Sequence, residues 1–380
     1  MSYTKHFKGG HSNMQKNLVI GLGQAGNKCV VDAVNDGVVN KDDTILINST
    51  SRDFPEGYDG KKIVISPHNL GCGKEREISK GYLKNAIKQG AFNFENLNQY
   101  STIVIVSSVE GGTGSGSTPI LAQFFSQIQV KNVHVFALLG FNEDVRGIRN
   151  TLDFFKEVDS SIIVHTIANS VFLPETGGNK TEAEKLANKE FGKRYSILMG
   201  NVLLPSFQNI DDTDILKLSN THGYTTVELR YLDKSLGNSD DYNKIVKRMI
   251  YESKSLKSQN PGATRMGVIF NLKESSMDAI GDPFSVLQDE YGTPFEAFKH
   301  IQYDGNKEYI AFIVSGMKLP IEAMEATYEK YEELANKVNR NKDEFFEKMK
   351  DISLNEGDNA FNMLHPVKAP GSVDDFLKKF

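Results

Sequence analysis

Residues 110–116 read Glu110-Gly-Gly-Thr-Gly-Ser-Gly116, between an apolar run ending at Val106 and a helical stretch, Thr118–Ile128. Four glycines (Gly111, Gly112, Gly114, Gly116) and the hydroxyls of Thr113 and Ser115 crowd one strand-to-helix turn, a concave row of amides suited to an anion. The turn has no G-x-x-x-x-G-K-[ST] pattern, so negative charge there must be met by amides, helix dipoles and a metal ion. A second such turn, Gly21-Leu-Gly23-Gln24-Ala25-Gly26-Asn27, follows the apolar Leu18–Ile20. A third, Gly71-Cys-Gly73-Lys74, also reads as a strand-edge turn. Three glycine turns at one sheet edge suggest a nucleotide surrounded by loops rather than gripped by one.

Working outward, Asn17–Ile20, Thr44–Ile47, Lys62–Ile65, Thr102–Val106, Val133–Leu138 and Ile162–His165 read as strands, several of them apolar without alternation. Such strands are buried on both faces, as in a parallel sheet. With helical stretches between them, an open α/β fold follows, its ligand edge at the strands' carboxyl ends. The G-x-G-x-x-G of the first turn also fits a dinucleotide fold, and an NAD-dependent oxidoreductase is the distant alternative. That fold wants an acid at the end of the second strand, and Asn48 stands there.

After Ile167 the texture changes. Thr181 to about Leu204 reads as one helix, about 36 Å long at 1.5 Å per residue, ended by Pro205. Beyond it come strand Thr225–Leu232, helix Asp241–Leu256, strand Thr264–Leu272, helix Pro283–Tyr291 and strands Ala297–Tyr303 and Tyr309–Ser315. The expected organisation is an extension (1–16), a nucleotide-binding domain (17–180), a core helix (181–204), a smaller α+β domain (205–318), a helix (319–350) and a tail (351–380). In the tail, Val373, Phe376, Leu377 and Phe380 fall on one helical stripe behind a Ser372/Asp375 capping box. Eleven residues are too few for a stable free helix, so a docking peptide is expected, with a frayed tail as the alternative.

The 380 residues carry 44 basic and 49 acidic side chains, a net charge of −5 that gives no general drive toward nucleic acid. Apolar runs shorter than ten residues and an N-terminus without an apolar core point to a cytoplasmic protein with no membrane span. Two cysteines make neither a disulfide framework nor a zinc motif, and no metal-ligating residue set is expected.

The residues resemble the tubulin/FtsZ superfamily of polymerising GTPases. Gly111–Gly116 is similar to that family's G-G-G-T-G-[ST]-G signature, Gly21–Asn27 to its first nucleotide loop, and Asn209-Ile-Asp211-Asp-Thr-Asp214 to its N-x-D-x-x-D loop. The three stand in order over residues 17–214. The resemblance implies GTP/GDP and Mg²⁺ as ligands, held by the glycine turns together with Asn48. It implies that Asn169 and Asn188 read the guanine edge, and that Glu143 and either Arg146 or Arg149 lie at the ribose. It also implies that Asp211 and Asp214 are catalytic, completing the nucleotide site of the next subunit in a head-to-tail homopolymer. Without it, the acidic stretch reads equally well as a capped turn opening helix Ile215–Leu218.

Two departures stand out. Glu110 replaces the signature's first glycine, where a carboxylate repels phosphate unless it points away or faces the metal. Glu184 stands where an aromatic often stacks on the base, leaving Phe191 to stack or no stacking at all. Divergence and tail character make the chain most like the plasmid- and phage-encoded TubZ group. That likeness implies DNA segregation through a DNA-binding adaptor held by the tail, without direct nucleic-acid or membrane contact. A cell-division scaffold is the alternative.

Overall fold

The structure, a computed structural model, describes residues 16–92, 97–127, 132–200, 212–277 and 279–355, with side chains as far as Val338 apart from those of Asn98, Asp212 and Thr213. Pro205, Asn209, Asp211, the N-terminal extension up to residue 15 and the expected tail stripe lie outside the described residues.

In chain order the elements are β1 (Lys16–Leu22), α1 (Gly23–Asn35), β2 (Thr44–Asn48), β3 (Lys61–Val64), α2 (Arg76–Lys88), β4 (Tyr100–Ser108), α3 (Gly112–Gln127), β5 (Asn132–Leu139), α4 (Val145–Glu157), β6 (Ile163–Ala168) and α5 (Lys180–Leu198). There follow α6 (Asp212–Ser219), β7 (Gly223–Tyr231), α7 (Ser239–Tyr251), β8 (Arg265–Asn271), α8 (Glu274–Met277), α9 (Ser285–Tyr291), β9 (Glu296–Gln302), β10 (Tyr309–Met317) and α10 (Ile321–Asn355). Contacts divide the chain after Glu329, within α10.

The strands form one ten-stranded sheet in the order β3-β2-β1-β4-β5-β6-β7-β10-β8-β9. From β3 to β6 all pairs are parallel; the central strands β1 and β4 carry the unalternated apolar runs of the sequence, while edge strand β3 buries only Ile63 of its four residues. β6 joins β7 through only two pairs, Ile163↔Gly223 and Val164↔Tyr224, and β10 then lies antiparallel to both β7 and β8. The expected α/β class holds, and the later strands extend the same sheet.

α5 is buried along Ala183, Ala187, Phe191 and Tyr195, a four-residue spacing whose alanines let it lie close on α1. It ends at Leu198, six residues short of the expected Leu204, because Gly200 (φ +71°) takes the left-handed conformation that closes a helix. At its centre, fully buried Arg194 donates to Glu190 (3.0 Å), Glu228 on β7 (3.0 Å), Ser255 (2.8 Å) and the Thr166 carbonyl on β6 (2.8 Å). One guanidinium thus ties the core helix to both halves of the sheet. Burial raises Glu228 to about 7, while the adjacent Arg194 holds Glu190 low against its own burial. Among the described residues, no helix is long and apolar enough to cross a membrane.

Candidate nucleotide site

Strand order reverses between β1 and β4, the switch point where open α/β sheets bind ligands. Four turns stand side by side at the carboxyl edge. β1 leads into Gly23 at the start of α1, and β4 into Gly112 at the start of α3. β5 leads into Asp144, the N-cap of α4, and β6 into Asn169. Helix N-termini direct free amides and positive dipole ends into the space above them.

The glycines are required by contact. A Cβ on Gly26 would stand 2.1 Å from the Val106 carbonyl oxygen, and one on Gly114 2.1 Å from that of Ser108. Gly23, at φ +77°, lies against the backbone of Gly114, so the first two turns touch. The third turn joins them: Gly112 has room for no side chain because Lys74 and Glu75 lie within 3 Å of its Cβ position. Gly73 (φ +53°) and Lys74 (φ +64°) turn that segment sharply, while Gly71 faces open space.

The helix after the signature begins at Gly112 rather than Thr118, which places Pro119 inside it. Proline has no N–H for the carbonyl four residues back. That carbonyl, on Ser115, instead accepts from Arg76 Nη2 at 3.1 Å, and Glu157 grips the same guanidinium at 3.1 and 2.6 Å. Asn150 donates to the carbonyls of both Lys74 and Glu110 at 3.0 Å. Arg76 and Asn150 escaped sequence reasoning, and the interior proline was the one signal for the first.

Glu110 points away from the cradle. Its carboxylate faces Gly140 and accepts from the Asn142 N–H at 3.4 Å, and burial raises its pKa. The rim is charged and paired: Lys74 with Asp144, Arg146 with Glu75, and Lys180 with Glu143. These half-exposed pairs hold weakly and can exchange partners for a ligand. Arg149 is committed to Asp153 (3.1 Å) and to the Tyr328 ring on α10 (5.3 Å), whereas Arg146 stands at the rim.

Several amides end in unused polar atoms. Asn27 Nδ2 donates to the Ile47 carbonyl at 3.2 Å, and Asn48 Oδ1 accepts from the Ser49 N–H at 2.8 Å. Asn27 Oδ1, Asn48 Nδ2 and Asn169 Oδ1 are buried without a protein partner, a costly condition that a polar ligand relieves. Ser49 Oγ lies 3.0 Å from Thr113 Oγ1, linking the end of β2 to the signature turn. Asn188 Nδ2 donates to Asp32 on α1 at 2.7 Å. Phe191 is fully buried edge-on against Phe136 at 4.9 Å, so it belongs to the core and cannot stack on a base; Glu184 pairs with Lys28.

Asp214, the described end of the acidic stretch, lies elsewhere. α5 begins beside the rim, where Lys180 meets Glu143, and runs about 27 Å to Leu198. There the Leu198 carbonyl accepts from Ser219 of α6 at 2.7 Å. His134, near the start of β5, meets Asn220 at 3.1 Å, and the Gly223 N–H donates to the Ile162 carbonyl. α6, with Asp214 in its first turn, therefore sits at the amino edge of the sheet, opposite the glycine turns. Lys217 pairs with Asp214 at 3.3 Å.

Residues 16–170 match the model of the Tubulin/FtsZ family, GTPase domain. A tubulin-like protein, TubZ, from Clostridium botulinum C phage is 27% identical over 218 residues, covering 56% of this chain. This chain spans 59% of that relative's length. The crystal structure of Clostridium botulinum phage c-st TubZ superposes with a TM-score of 0.65 at 18% identity, covering 85% of this chain and 100% of that one. CetZ2 from Haloferax volcanii, in a GTPγS-bound protofilament, superposes with 0.67 at 17% identity, covering 86% and 100%. These two likenesses show the fold.

Proposed function

We propose that the protein binds GTP at the carboxyl-edge cradle and hydrolyses it only when a second copy, stacked head to tail, brings its acidic segment over that cradle. The carrying observation is the separation just described: glycine turns and Asp214 occupy opposite edges of one sheet, the length of α5 apart. One copy cannot join them. A translational repeat of the chain does, and such a heterologous contact builds an open filament.

In this reading the amides of Gly21, Gly23–Asn27 and Gly111–Gly116 meet the phosphates, with Gly71, Gly73 and Lys74 closing the near side. Glu143 and Arg146 border the ribose, and Asn27, Asn48, Asn169 and Asn188 supply polar contacts from the deeper wall. Mg²⁺ would neutralise phosphate charge there, with the partly exposed Thr113 hydroxyl as the side-chain oxygen of the turn that would face it; the Ser115 hydroxyl is buried and donates to the Gly111 carbonyl. Phosphoryl transfer needs an oriented water and little covalent chemistry. Asp211 and Asp214, arriving from the neighbour, would orient that water as carboxylate acceptors.

The filament is read as one that moves or positions a replicon in the cytoplasm. The relative's phage origin and the net charge of −5 support an adaptor, held by the tail, as the DNA-contacting partner. Asp214→Ala tests the shared site. It should leave monomer GTP affinity and GTP-dependent sedimentation intact while cutting turnover in the pellet at least about tenfold. Wild-type turnover in pelleted Asp214→Ala overturns the reading.

A further inference from the structure

On the sheet face beneath α5, His134 of β5 and His165 of β6 lie stacked, ring centroids 5.3 Å apart and planes 6° apart. His134 Nδ1 is 3.1 Å from His165 Nε2, and His134 Nε2 is 3.1 Å from Asn220 Oδ1 at the end of α6. The Phe136 ring stacks on His165 at 4.4 Å and meets Phe191 of α5 edge-on. A continuous column thus runs from the acidic helix through β5 and β6 to the core helix.

A neutral imidazole has one N–H, so the bonds have a direction. The Asn220 oxygen accepts from His134 Nε2–H, and His134 Nδ1 then accepts from His165 Nε2–H. Apolar groups of similar shape would fill this part of the sheet at little cost in stability. What the imidazoles add is a fixed place for Asn220. Ser219 and Thr221 tie α6 to its flanks, through the Leu198 carbonyl and Arg265. Asn220 alone among these three bonds to β5, and through His134 and His165 to β6, the strands whose far ends lead to Glu143, Arg146 and Asn169.

We infer that His134 is a positioning residue for GTP hydrolysis: through Asn220 it sets α6, and Asp214 six residues upstream, in register with the strands that carry the nucleotide turns. In a stack of identical copies, that register decides where the carboxylate meets the neighbour's γ-phosphate. The inference rests on the shared-site reading proposed above.

The test compares full-length His134→Phe, His134→Gln, Asn220→Ala and Asp214→Ala for GTP affinity, sedimentation with GTP, and turnover per sedimented subunit. His134→Phe and Asn220→Ala should bind GTP and sediment like wild type but turn over about tenfold more slowly, the scale of a small misplacement of a reacting group. His134→Gln, whose amide nitrogen reaches the Nε2 position, should recover most of that loss. Wild-type turnover in Asn220→Ala overturns the inference, as does a parallel loss of GTP affinity and turnover in His134→Phe that Gln does not recover. Asp214→Ala separates the two claims. If it turns over normally, the shared site itself fails; if it is slow while Asn220→Ala is normal, only the role of His134 fails.

Discussion

Asn188 on the core helix donates one amide N–H to Asp32 on α1 at 2.7 Å, which fixes the orientation of its amide and so of its acceptor oxygen. Asn169 has a buried oxygen without a partner. Guanine offers N–H donors at N1 and N2, whereas adenine has an acceptor at N1, so under the proposed reading these two oxygens would favour guanine. Asp32→Ala frees the Asn188 amide to rotate. GDP affinity measured by calorimetry should fall about tenfold, the worth of one hydrogen bond to a charged group, and the preference over ADP should narrow.

Gly26 admits no side chain because the obstacle is the Val106 carbonyl, part of a central strand that cannot move aside. Gly26→Ala should cost about 1–3 kcal/mol in urea unfolding, the usual range for overpacking. Gly81 on the open side of α2 has nothing within 4 Å of its Cβ position. Gly81→Ala should be neutral or stabilise by up to about 1 kcal/mol, since alanine is the better helix former.

Removing Arg194 would leave Glu190 and Glu228 facing one another in the core without their shared cation. Arg194→Ala should destabilise the protein by about 3–5 kcal/mol, as breaking buried ion pairs does. Glu228→Gln should cost much less, because a neutral amide still accepts from the guanidinium.

Burial lowers the His134 pKa from 6.5 to about 4, and that of His165 well below its usual value. Above pH 6.5 both folded and unfolded chains hold these rings neutral, and the contribution to stability is complete. As pH falls from 6.5 toward 4 only the unfolded chain takes up the protons, so stability declines, for His134 by about 3 kcal/mol in all. Glu228, raised to about 7, works with the opposite sign, its stabilising share being lost as pH rises from 4.5 through 7. Denaturation midpoints of wild type and His134→Phe, followed from pH 7 to pH 4.5, isolate the histidine share: wild type should lose stability relative to the variant as pH falls, and a constant difference would contradict it.

Strands such as β1, β2 and β4 were legible because valine and isoleucine runs without alternation mean burial on both faces, and the glycine turns because their spacing is local. The end of α5 is not legible from Pro205, because Gly200 closes the helix five residues before it. Phe191 could not be judged from spacing, since a helical aromatic reads alike whether it meets a base or Phe136. Glu110, ambiguous in sequence, is resolved by Gly140 and Asn142, thirty residues away, which receive its carboxylate. His134 and His165 sit singly in apolar runs, and their pairing exists only once β5 lies beside β6. Such long-range polar partners leave no local pattern.

The central claim is that one copy lacks half of its hydrolytic site. GTP turnover per subunit, measured against total protein concentration through the onset of light scattering, tests it most directly. Turnover should be negligible in dilute protein, rise steeply at the concentration where scattering begins, and reach a plateau above it. Turnover per subunit that stays constant across that threshold would contradict it.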